Sequence, residues 1–418
     1  MDRDWMYQAA LPLSLRLLNL AGKSLRLIGV RGASLNPERL MKRARQNTNL
    51  SDFGPDDFRE GLTRLCESLE SEAELTAFGR LIAQTDILLT LENRLKLIHA
   101  FKVNRELSGA PVKRPLFILG LPQSGTALLH DLLAQDPDNR VPMTWETKYP
   151  FPPPRTETYR SDPRISKVSK ELKQVDRLLP EFKKIYPMGA ERPQECVSIT
   201  AMNFMSMAYS VSYRVPSYQR WLQSEAQFRG AYNLHYQFLQ FLQWRHKGER
   251  WVLNSPGHLW SLDTLVARYP DAMIVQAHRD PVKVMCSLSS LTYTLRSMVT
   301  NNPDMHDIAR HQTAWIESGL NNNTALRKSG TLSPQLFDFS YDELMANPIA
   351  LVKRIYRHFG LPLSDKAEEQ MREYLEQNPE DKHGKPRYHF MTTGLRLDEE
   401  RRRFRDYQEF FNIATEKV

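Results

Sequence analysis

The chain has 418 residues, of which 41% are hydrophobic and 25% are charged, and its formal net charge is +8. This ordinary globular composition leaves room for a large core in one or two domains. The three cysteines, Cys66, Cys196 and Cys286, are too scattered for a disulfide framework or a zinc site, and they fit a reducing cytoplasm. No basic run is interleaved with aromatic residues, so we expect no nucleic-acid partner.

Residues 5–30 are predicted to form an amphipathic helix. Leu13, Leu17 and Leu20 recur at helical spacing, and basic residues lie on the other faces. Those basic residues interrupt the apolar run, so we do not expect it to span a bilayer. The helix either lies on a membrane surface, or packs on its own protein or on a second subunit of a homodimer. The start of the chain lacks the layout of a signal peptide, which favours a cytoplasmic protein that is peripheral to the membrane on the first interpretation.

Two units are predicted along the chain. Residues 1–110 form an N-terminal helical segment, in which apolar residues recur every three or four positions. Residues 111–418 form an α/β domain, because short apolar runs now alternate with helical stretches, with a helical insertion at about residues 155–247. The predicted strands are Leu116–Leu119, Trp251–Leu253, Met273–Ala277 and Leu336–Phe339.

The segment Leu116–Leu129 reads L-F-I-L-G-L-P-Q-S-G-T-A-L-L, which is an apolar strand, a short polar loop and the start of a helix. Such a loop turns backbone N–H groups and a helix N-terminus toward one point, which makes an anion site. The segment does not match the P-loop NTPase motif, because it lacks the lysine of that motif, and it does not contain the dinucleotide-binding motif G-x-G-x-x-G. The loop carries Gln123 where a cation would be expected.

Three more polar segments come near the predicted strand ends, where open α/β sheets place ligands. They are T-W-E-T-K at residues 144–148, N-S-P-G-H at residues 254–258, and H-R-D-P at residues 278–281, with Ser287 eight residues after Arg279. No group of carboxylates and histidines has the spacing of metal ligands, so we expect no metal cofactor.

Together these segments resemble the bacterial family of sulfotransferases that use 3′-phosphoadenosine-5′-phosphosulfate (PAPS) and are related to tyrosylprotein sulfotransferases. The resemblance extends to M-G-A-E-R-P-Q-E-C, W-V-L-x-S-P-x-H-L, F-S-Y-D-E-L-x-x-N-P and D-K-H-G-K-P-R-Y. It implies a P-loop-like sulfotransferase fold, with a central parallel sheet flanked by helices and an N-terminal helical extension. It also implies transfer of a sulfuryl group from PAPS to a hydroxyl, which leaves adenosine 3′,5′-bisphosphate (PAP).

The acceptor is expected to be a bulky apolar small molecule or a lipid. This expectation rests on Trp145 and on the stretch Phe204–Trp221, which is rich in aromatic residues and methionine. The same pattern is also typical of plain core packing.

The resemblance assigns the loop to the 5′-phosphate side of the donor. Ser124, Gly125, Thr126 and the amides that follow through Ala127 would hold this phosphate, with Gln123 beside them. Gly125 has no side chain, so the backbone can approach the phosphate closely. Ala127 departs from the threonine that is usual in the family, and it removes one hydroxyl from the phosphate cradle.

The 3′-phosphate is expected to be held by Arg279 and Ser287, which supply a guanidinium fork and a hydroxyl. The other interpretation of Arg279 is a surface ion pair with Asp280. Three basic residues near the C-terminal motif would either close over the same phosphate or form a solvated tail: Lys382, Lys385 and Arg387.

Two residues are candidates for the general base that takes the proton of the acceptor hydroxyl. Glu146 lies at the spacing at which related enzymes carry a catalytic glutamate, and His258 lies close to where other sulfotransferases carry a catalytic histidine. Lys148 would orient Glu146 or meet donor charge. The structural alternatives are a capping or ion-paired glutamate and a core histidine bonded to backbone.

Gln123 and Asn254 depart from the family pattern, in which these positions carry cations that flank the transferred sulfuryl group. Loss of one preorganised donor costs on the order of 10²–10³ in rate, although an amide still donates hydrogen bonds. The chain is therefore an active sulfotransferase with substitute cations, a repurposed enzyme with non-sulfuryl chemistry, or a catalytically weak protein that binds PAP-type nucleotides.

Overall fold

A central sheet of five parallel strands lies within the part of the chain that the computed structural model describes, which is residues 9–27, 32–330, 332, 335–379, 382, 384 and 388–418. The strands are β1 (Leu116–Gly120), β2 (Asn139–Arg140), β3 (Arg250–Asn254), β4 (Met273–His278) and β5 (Leu336–Ser340). Their order across the sheet is β2-β3-β1-β4-β5. The four strands predicted from apolar runs are confirmed. Strand β2 is too short to be recognised from its pattern.

Strand β1 lies in the middle of the sheet, and all of its residues are buried. It pairs with β3 on one side, where Ile118 is opposite Asn254, and with β4 on the other, where Gly120 is opposite Ala277. The carboxyl ends of these three strands therefore meet at one edge, on both sides of the point where the strand order reverses. Open α/β sheets bind ligands at this position.

Helices precede the sheet in the N-terminal part of the chain, as predicted. They are α1 (Leu13–Leu27), α2 (Pro37–Thr48), α3 (Arg59–Ser71) and α4 (Ala77–Val103). Buried residues of α2, α3 and α4 form one apolar cluster with residues 204–231, which includes Phe204, Tyr218 and Trp221. The N-terminal helices are thus packed on the region that the sequence predicts as an insertion, while the division into two units stays a prediction.

Sixteen further helices follow β1 in the described part of the chain. Those between β1 and β3 are α5 (Thr126–Leu133), α6 (Thr144–Lys148), α7 (Pro163–Leu178), α8 (Phe182–Ile185), α9 (Val197–Thr200), α10 (Ala208–Ser212), α11 (Pro216–Ser224) and α12 (Arg229–Gln243). Those after β3 are α13 (Leu262–Arg268), α14 (Pro281–Arg296), α15 (Met305–Lys328), α16 (Tyr341–Ala346), α17 (Pro348–His358), α18 (Asp365–Gln377), α19 (Leu397–Arg403) and α20 (Arg405–Phe411). Phe117 and Leu119 of β1 belong to one apolar cluster with α12, α13 and α14, while Leu116 and Ile118 belong to another with α5 and α17. The sheet is therefore covered by helices on both faces, as its buried apolar strands require.

Candidate functional site

The loop after β1 has the backbone of an anion-binding site. Gln123 and Gly125 both adopt positive φ angles, 62° and 88°, and α5 begins directly afterwards at Thr126. The Ser124 hydroxyl donates a hydrogen bond of 2.6 Å to the Leu121 carbonyl, which holds the turn closed from inside. In the described part of the chain no side chain caps the N-terminus of α5. Its backbone N–H groups are therefore available to an anion.

Gly125 is required here by both conformation and space. A β-carbon on it would lie 2.5 Å from Leu344 Cδ2 and 3.3 Å from Tyr341 Cδ2. Its φ of 88° is also one that residues with a side chain rarely adopt. Ala127, two residues further on, is exposed at the start of α5.

Asn254 ends β3 beside this loop with a side chain that is buried and unsatisfied. Its exposed fraction is 1%, and neither Oδ1 nor Nδ2 has a hydrogen-bond partner among the described residues. The backbone here is fixed, because Asn254 O accepts from Cys196 N at 2.8 Å and Ser255 N donates to Ile118 O at 3.1 Å. A buried amide without partners is costly, so a polar ligand at this strand end would satisfy it.

Arg279 directly follows β4, and its side chain contacts the loop after β1. Its Nη1 donates to the backbone carbonyl of Gln123 at 2.5 Å, and its guanidinium carbon lies 3.6 Å from the centre of the Tyr341 ring. The other two guanidinium nitrogens of Arg279 already have a partner. Nε and Nη2 donate to the two carboxylate oxygens of Glu416 at 2.8 and 2.9 Å. Burial alone would lower the pKa of Arg279, but the pair with Glu416 raises it on balance.

Further contacts hold the Glu416 backbone against the start of α14. Its N–H donates to the Asp280 carboxylate at 2.8 Å, and its carbonyl accepts from Arg401 at 2.8 Å. Asp280 is ion-paired with Arg401. The expected alternative for Arg279, a surface pair with Asp280, is therefore not what the structure shows, because Asp280 faces Arg401 while Arg279 faces Glu416.

Ser287 lies buried in α14 near the phenol of Tyr388, whose pKa its hydroxyl lowers. The same phenol lies within the electrostatic influence of Arg279, so the two residues of the expected clamp are close to one tyrosine. Lys382 is exposed and donates to Asn378 Oδ1 at 2.9 Å. Lys385 and Arg387 lie outside the described residues.

Glu146 is fully buried, and both of its carboxylate oxygens are engaged. Arg140 binds it in a two-pronged ion pair, Tyr159 Oη donates to Oε2 at 3.1 Å, and the Met143 N–H donates to Oε2 at 2.9 Å. The sequence analysis missed Arg140 because it lies on the short strand β2. Glu146 as the base stays a prediction, and in this arrangement its carboxylate fixes the start of α6.

Lys148 does not meet Glu146. Its ammonium pairs with Glu171 of α7 at 2.7 Å, because residues two apart on a helix face different sides. The expectation that Lys148 orients Glu146 is therefore corrected to Arg140, which does so from β2.

His258 is buried in a hydrogen-bonded chain with one free nitrogen. Its Nδ1 lies 2.8 Å from Tyr232 Oη, which lies 2.9 Å from Ser261 Oγ. Its Nε2 has no partner in the described structure. Burial, with a smaller effect from His235, lowers the pKa of His258 well below its usual value. The imidazole is therefore neutral near pH 7, with one nitrogen left for a ligand.

An apolar pocket opens beside His258. Tyr232 and Ser255 line it as well, and the rings of Trp260 and Trp315 stack with centroids 3.7 Å apart. Its apolar wall consists of Met205, Met207, Leu222, Phe228, Trp260 and Trp315. Part of the methionine- and aromatic-rich stretch singled out in the sequence thus lines the pocket. Trp145 does not, because it is buried against Arg164 and Tyr159.

Glu195 is a titratable group that the sequence analysis did not assign. It lies in the motif M-G-A-E-R-P-Q-E-C, directly before Cys196, whose N–H bonds the Asn254 carbonyl. Burial raises the pKa of Glu195 to about 7, and a hydrogen bond with Tyr186 acts in the opposite direction. The motif was visible, but only the fold brings its last glutamate next to the end of β3.

Two negative findings apply to the described residues only. No group of three or more His, Cys, Asp or Glu side chains there could hold a metal ion. None of the helices in those ranges combines the length and apolarity that crossing a bilayer requires.

Comparisons with known proteins agree with this geometry. Two solved structures resemble the chain over most of its length: sulfotransferase STF1 from Mycobacterium tuberculosis (31% identity, 90% of this chain and 99% of that one, TM-score 0.79) and sulfotransferase STF9 from Mycobacterium avium (29%, 93% and 99%, TM-score 0.85). These similarities establish the expected P-loop-like sulfotransferase fold.

Among characterised proteins, the omega-hydroxy-beta-dihydromenaquinone-9 sulfotransferase Stf3 of Mycobacterium bovis is 22% identical over 268 residues, which is 62% of this chain. Its counterpart in Mycobacterium tuberculosis matches equally. The chain spans 66% of the length of these relatives, just under two thirds. A sequence model described as the sulfotransferase family matches residues 115–365. The chain belongs to the sulfotransferase family.

Proposed function

We propose that this protein is a sulfotransferase that moves a sulfuryl group from PAPS to a hydroxyl of a bulky apolar, lipid-like acceptor. The observation that carries the proposal is the buried amide of Asn254, which has no partner among the described residues, beside an N-terminus of α5 that none of their side chains caps. An anionic group bound there would accept hydrogen bonds from the Asn254 amide and from the backbone N–H groups at the start of α5. PAPS, when bound, supplies the sulfuryl group.

The residues around the loop fit a nucleotide with two phosphate groups. Ser124, Gly125 and Thr126 supply backbone N–H groups for the 5′ side, and Gln123 and Asn254 supply neutral amide donors for the sulfuryl oxygens. On the 3′ side, Arg279 and Ser287 lie near one tyrosine, Tyr388. In this structure the Glu416 carboxylate accepts from Nε and Nη2 of Arg279. A donor phosphate can bind these two nitrogens only if that carboxylate moves away.

His258 is the better placed of the two predicted bases. Its Nε2 has no hydrogen-bond partner within the described ranges, and the residue lines the apolar pocket, whereas both carboxylate oxygens of Glu146 are engaged. In the catalytic tautomer, Nδ1–H donates to Tyr232, Tyr232 donates to Ser261, and Nε2 accepts the proton of the acceptor hydroxyl. No covalent enzyme intermediate is needed.

The pocket and one relative support the proposed class of acceptor. The wall of methionine, leucine, phenylalanine and tryptophan side chains favours an apolar chain or ring over a charged acceptor. The relative named for its action on a hydroxylated dihydromenaquinone is consistent with a lipid acceptor.

A second candidate function follows from the neutral loop. Because Gln123 and Asn254 carry no charge, the site would stabilise a developing sulfuryl charge less than a cationic site would. A protein that binds PAP-type nucleotides with weak or non-sulfuryl chemistry is the alternative.

The test pairs calorimetry of PAP binding with transfer of labelled sulfate from PAPS to a long-chain alcohol. The native protein is compared with the double variant Gln123→Arg/Asn254→Lys. PAP binding and transfer by the native protein would support the proposal. PAP binding without transfer, together with a gain of about 10²-fold or more in the double variant, would favour the weak nucleotide-binding alternative. If the native protein does not bind PAP, the interpretation as a repurposed enzyme with non-sulfuryl chemistry would be favoured.

A further inference from the structure

Helix α1 has a leucine face that is exposed in the described part of the chain. Leu13, Leu17 and Leu20 are 71%, 56% and 62% exposed, and their spacing of four and three residues places them on one side of the helix. Few large apolar side chains elsewhere in the described chain are as exposed. An exposed apolar stripe of this kind is typical of an interaction surface.

The opposite side of α1 is firmly packed, so the leucine face is held outward. Asn19 Oδ1 accepts from the Phe78 N–H at 2.9 Å, at the start of α4. A β-carbon on Gly22 would lie 2.5 Å from Ala77 Cβ, which shows how closely the two helices approach. The sequence left open whether this helix packs on its own protein, and the structure shows that one face does while the leucine face stays exposed.

The charge of α1 is complementary to an anionic surface. Its sequence, L-S-L-R-L-L-N-L-A-G-K-S-L-R-L, contains three basic residues and no acidic one. Arg16 and Lys23 are exposed, and at seven residues apart they flank the same edge of the leucine face. Leucines on one face with basic residues beside them are the pattern of helices that lie in the plane of a membrane interface.

The segment before α1 is tied to the wall of the apolar pocket through the end of α14. The Ala9 N–H donates to Ser297 Oγ at 2.9 Å, directly after α14. The neighbouring Arg296 donates to the Ser210 carbonyl of α10 at 2.6 Å, and α10 directly follows Met207, which lines the pocket. Two hydrogen bonds thus connect the segment before α1, through the end of α14, with the helix that follows a pocket-lining residue.

We propose that α1 docks on an anionic lipid bilayer, with Leu13, Leu17 and Leu20 in the boundary between headgroups and acyl chains. This docking rests on the proposed function in one respect only. If the acceptor is lipid-like, docking brings the apolar pocket to the membrane that holds it. Apolar burial holds the helix, while Arg16 and Lys23 add a salt-sensitive attraction to the acidic headgroups.

The experiment is flotation of the full chain with vesicles of phosphatidylcholine alone or mixed with phosphatidylglycerol. The native protein should bind the anionic vesicles about tenfold more than the neutral ones, and added salt should reduce this preference. The variant Leu13→Ser/Leu17→Ser/Leu20→Ser should lose binding to both. Arg16→Gln/Lys23→Gln should lose only the anionic preference. Leu397→Ser, at an exposed leucine outside α1, serves as the matched control and should bind as the native protein does.

Two outcomes would overturn the proposal. One is that the native chain binds neither vesicle. The other is that, without lipid, the native chain is a dimer and the triple serine variant a monomer, which would assign the leucine face to a second copy. Calorimetry with PAP on the same preparations keeps the two proposals apart, because nucleotide binding does not depend on the leucine face.

Discussion

At the residue scale, His258 and Glu195 are two buried groups near the end of β3 whose pKa values move in opposite directions. Burial lowers the pKa of His258 well below its usual value and raises that of Glu195 to about 7. A base must be deprotonated to act. The pH dependence of sulfate transfer therefore distinguishes them.

If His258 is the base, kcat/KM is expected to be flat between about pH 6 and pH 8 and to fall only at lower pH. His258→Gln should reduce kcat by about 10²-fold or more, with PAP binding unchanged. The measurement is a pH profile of both proteins. A limb near pH 7 that Glu195→Gln removes would assign the step to Glu195 instead.

The bidentate pair between Arg279 and Glu416 leads to a prediction about affinity. Glu416→Gln removes the charge that competes with a donor phosphate for the same guanidinium, so PAP should bind about fivefold tighter, a modest effect because the pair is partly exposed. Calorimetry measures this directly. Glu409→Gln, an exposed glutamate on α20, is the matched control. Weaker PAP binding in the Glu416 variant would mean that Glu416 orients Arg279 for the ligand.

At the element scale, the strand, loop and helix formed by β1 and α5 depend on Gly125. Gly125→Ala places a β-carbon 2.5 Å from Leu344 and imposes a φ of 88° on alanine. We expect a loss of about 1–3 kcal/mol in unfolding free energy and weaker PAP binding, because the loop backbone must shift. Gly109→Ala is the control, since nothing lies within 4 Å of its β-carbon and its φ is not positive. Equal behaviour of the two variants in denaturant unfolding would contradict this account.

Elements of this kind were predictable because they are local. A run of apolar residues that is buried on both faces signals a central parallel strand, and glycine with serine and threonine signals the turn that follows. Strand β2 was not predictable, because two residues carry no periodicity. Arg140, which β2 places against Glu146, was missed for the same reason.

At the scale of the whole molecule, Arg94 joins the N-terminal helices to the region that covers the site. From α4 its guanidinium donates to Phe53 O at 2.8 Å and Pro55 O at 2.9 Å, both before α3, and to Asn203 Oδ1 at 2.6 Å. Burial lowers the pKa of Arg94 to about 10, so it stays charged at neutral pH.

Arg94→Met is therefore expected to lower the free energy of unfolding by about 3 kcal/mol, because the carbonyl groups of Phe53, Pro55 and Asn203 lose this donor. Denaturant unfolding followed by circular dichroism measures the loss. Arg43→Met, at an exposed arginine of α2, is the control and should stay within about 0.5 kcal/mol of the native protein. A native-like Arg94 variant would mean that the two regions are joined by apolar packing alone.

The sequence by itself determined the fold class, four of the strands, the loop after β1 and the motifs of the family, because each of these depends on residues that are close together in the chain. Only the tertiary structure decided which partners meet. It placed Glu416 on Arg279, Arg140 on Glu146 and Tyr232 on His258. It also left the Asn254 amide buried without a hydrogen-bond partner in the part of the chain that the structure describes. Contacts between residues far apart in the chain depend on how the helices pack over the sheet, and local sequence patterns do not predict that packing.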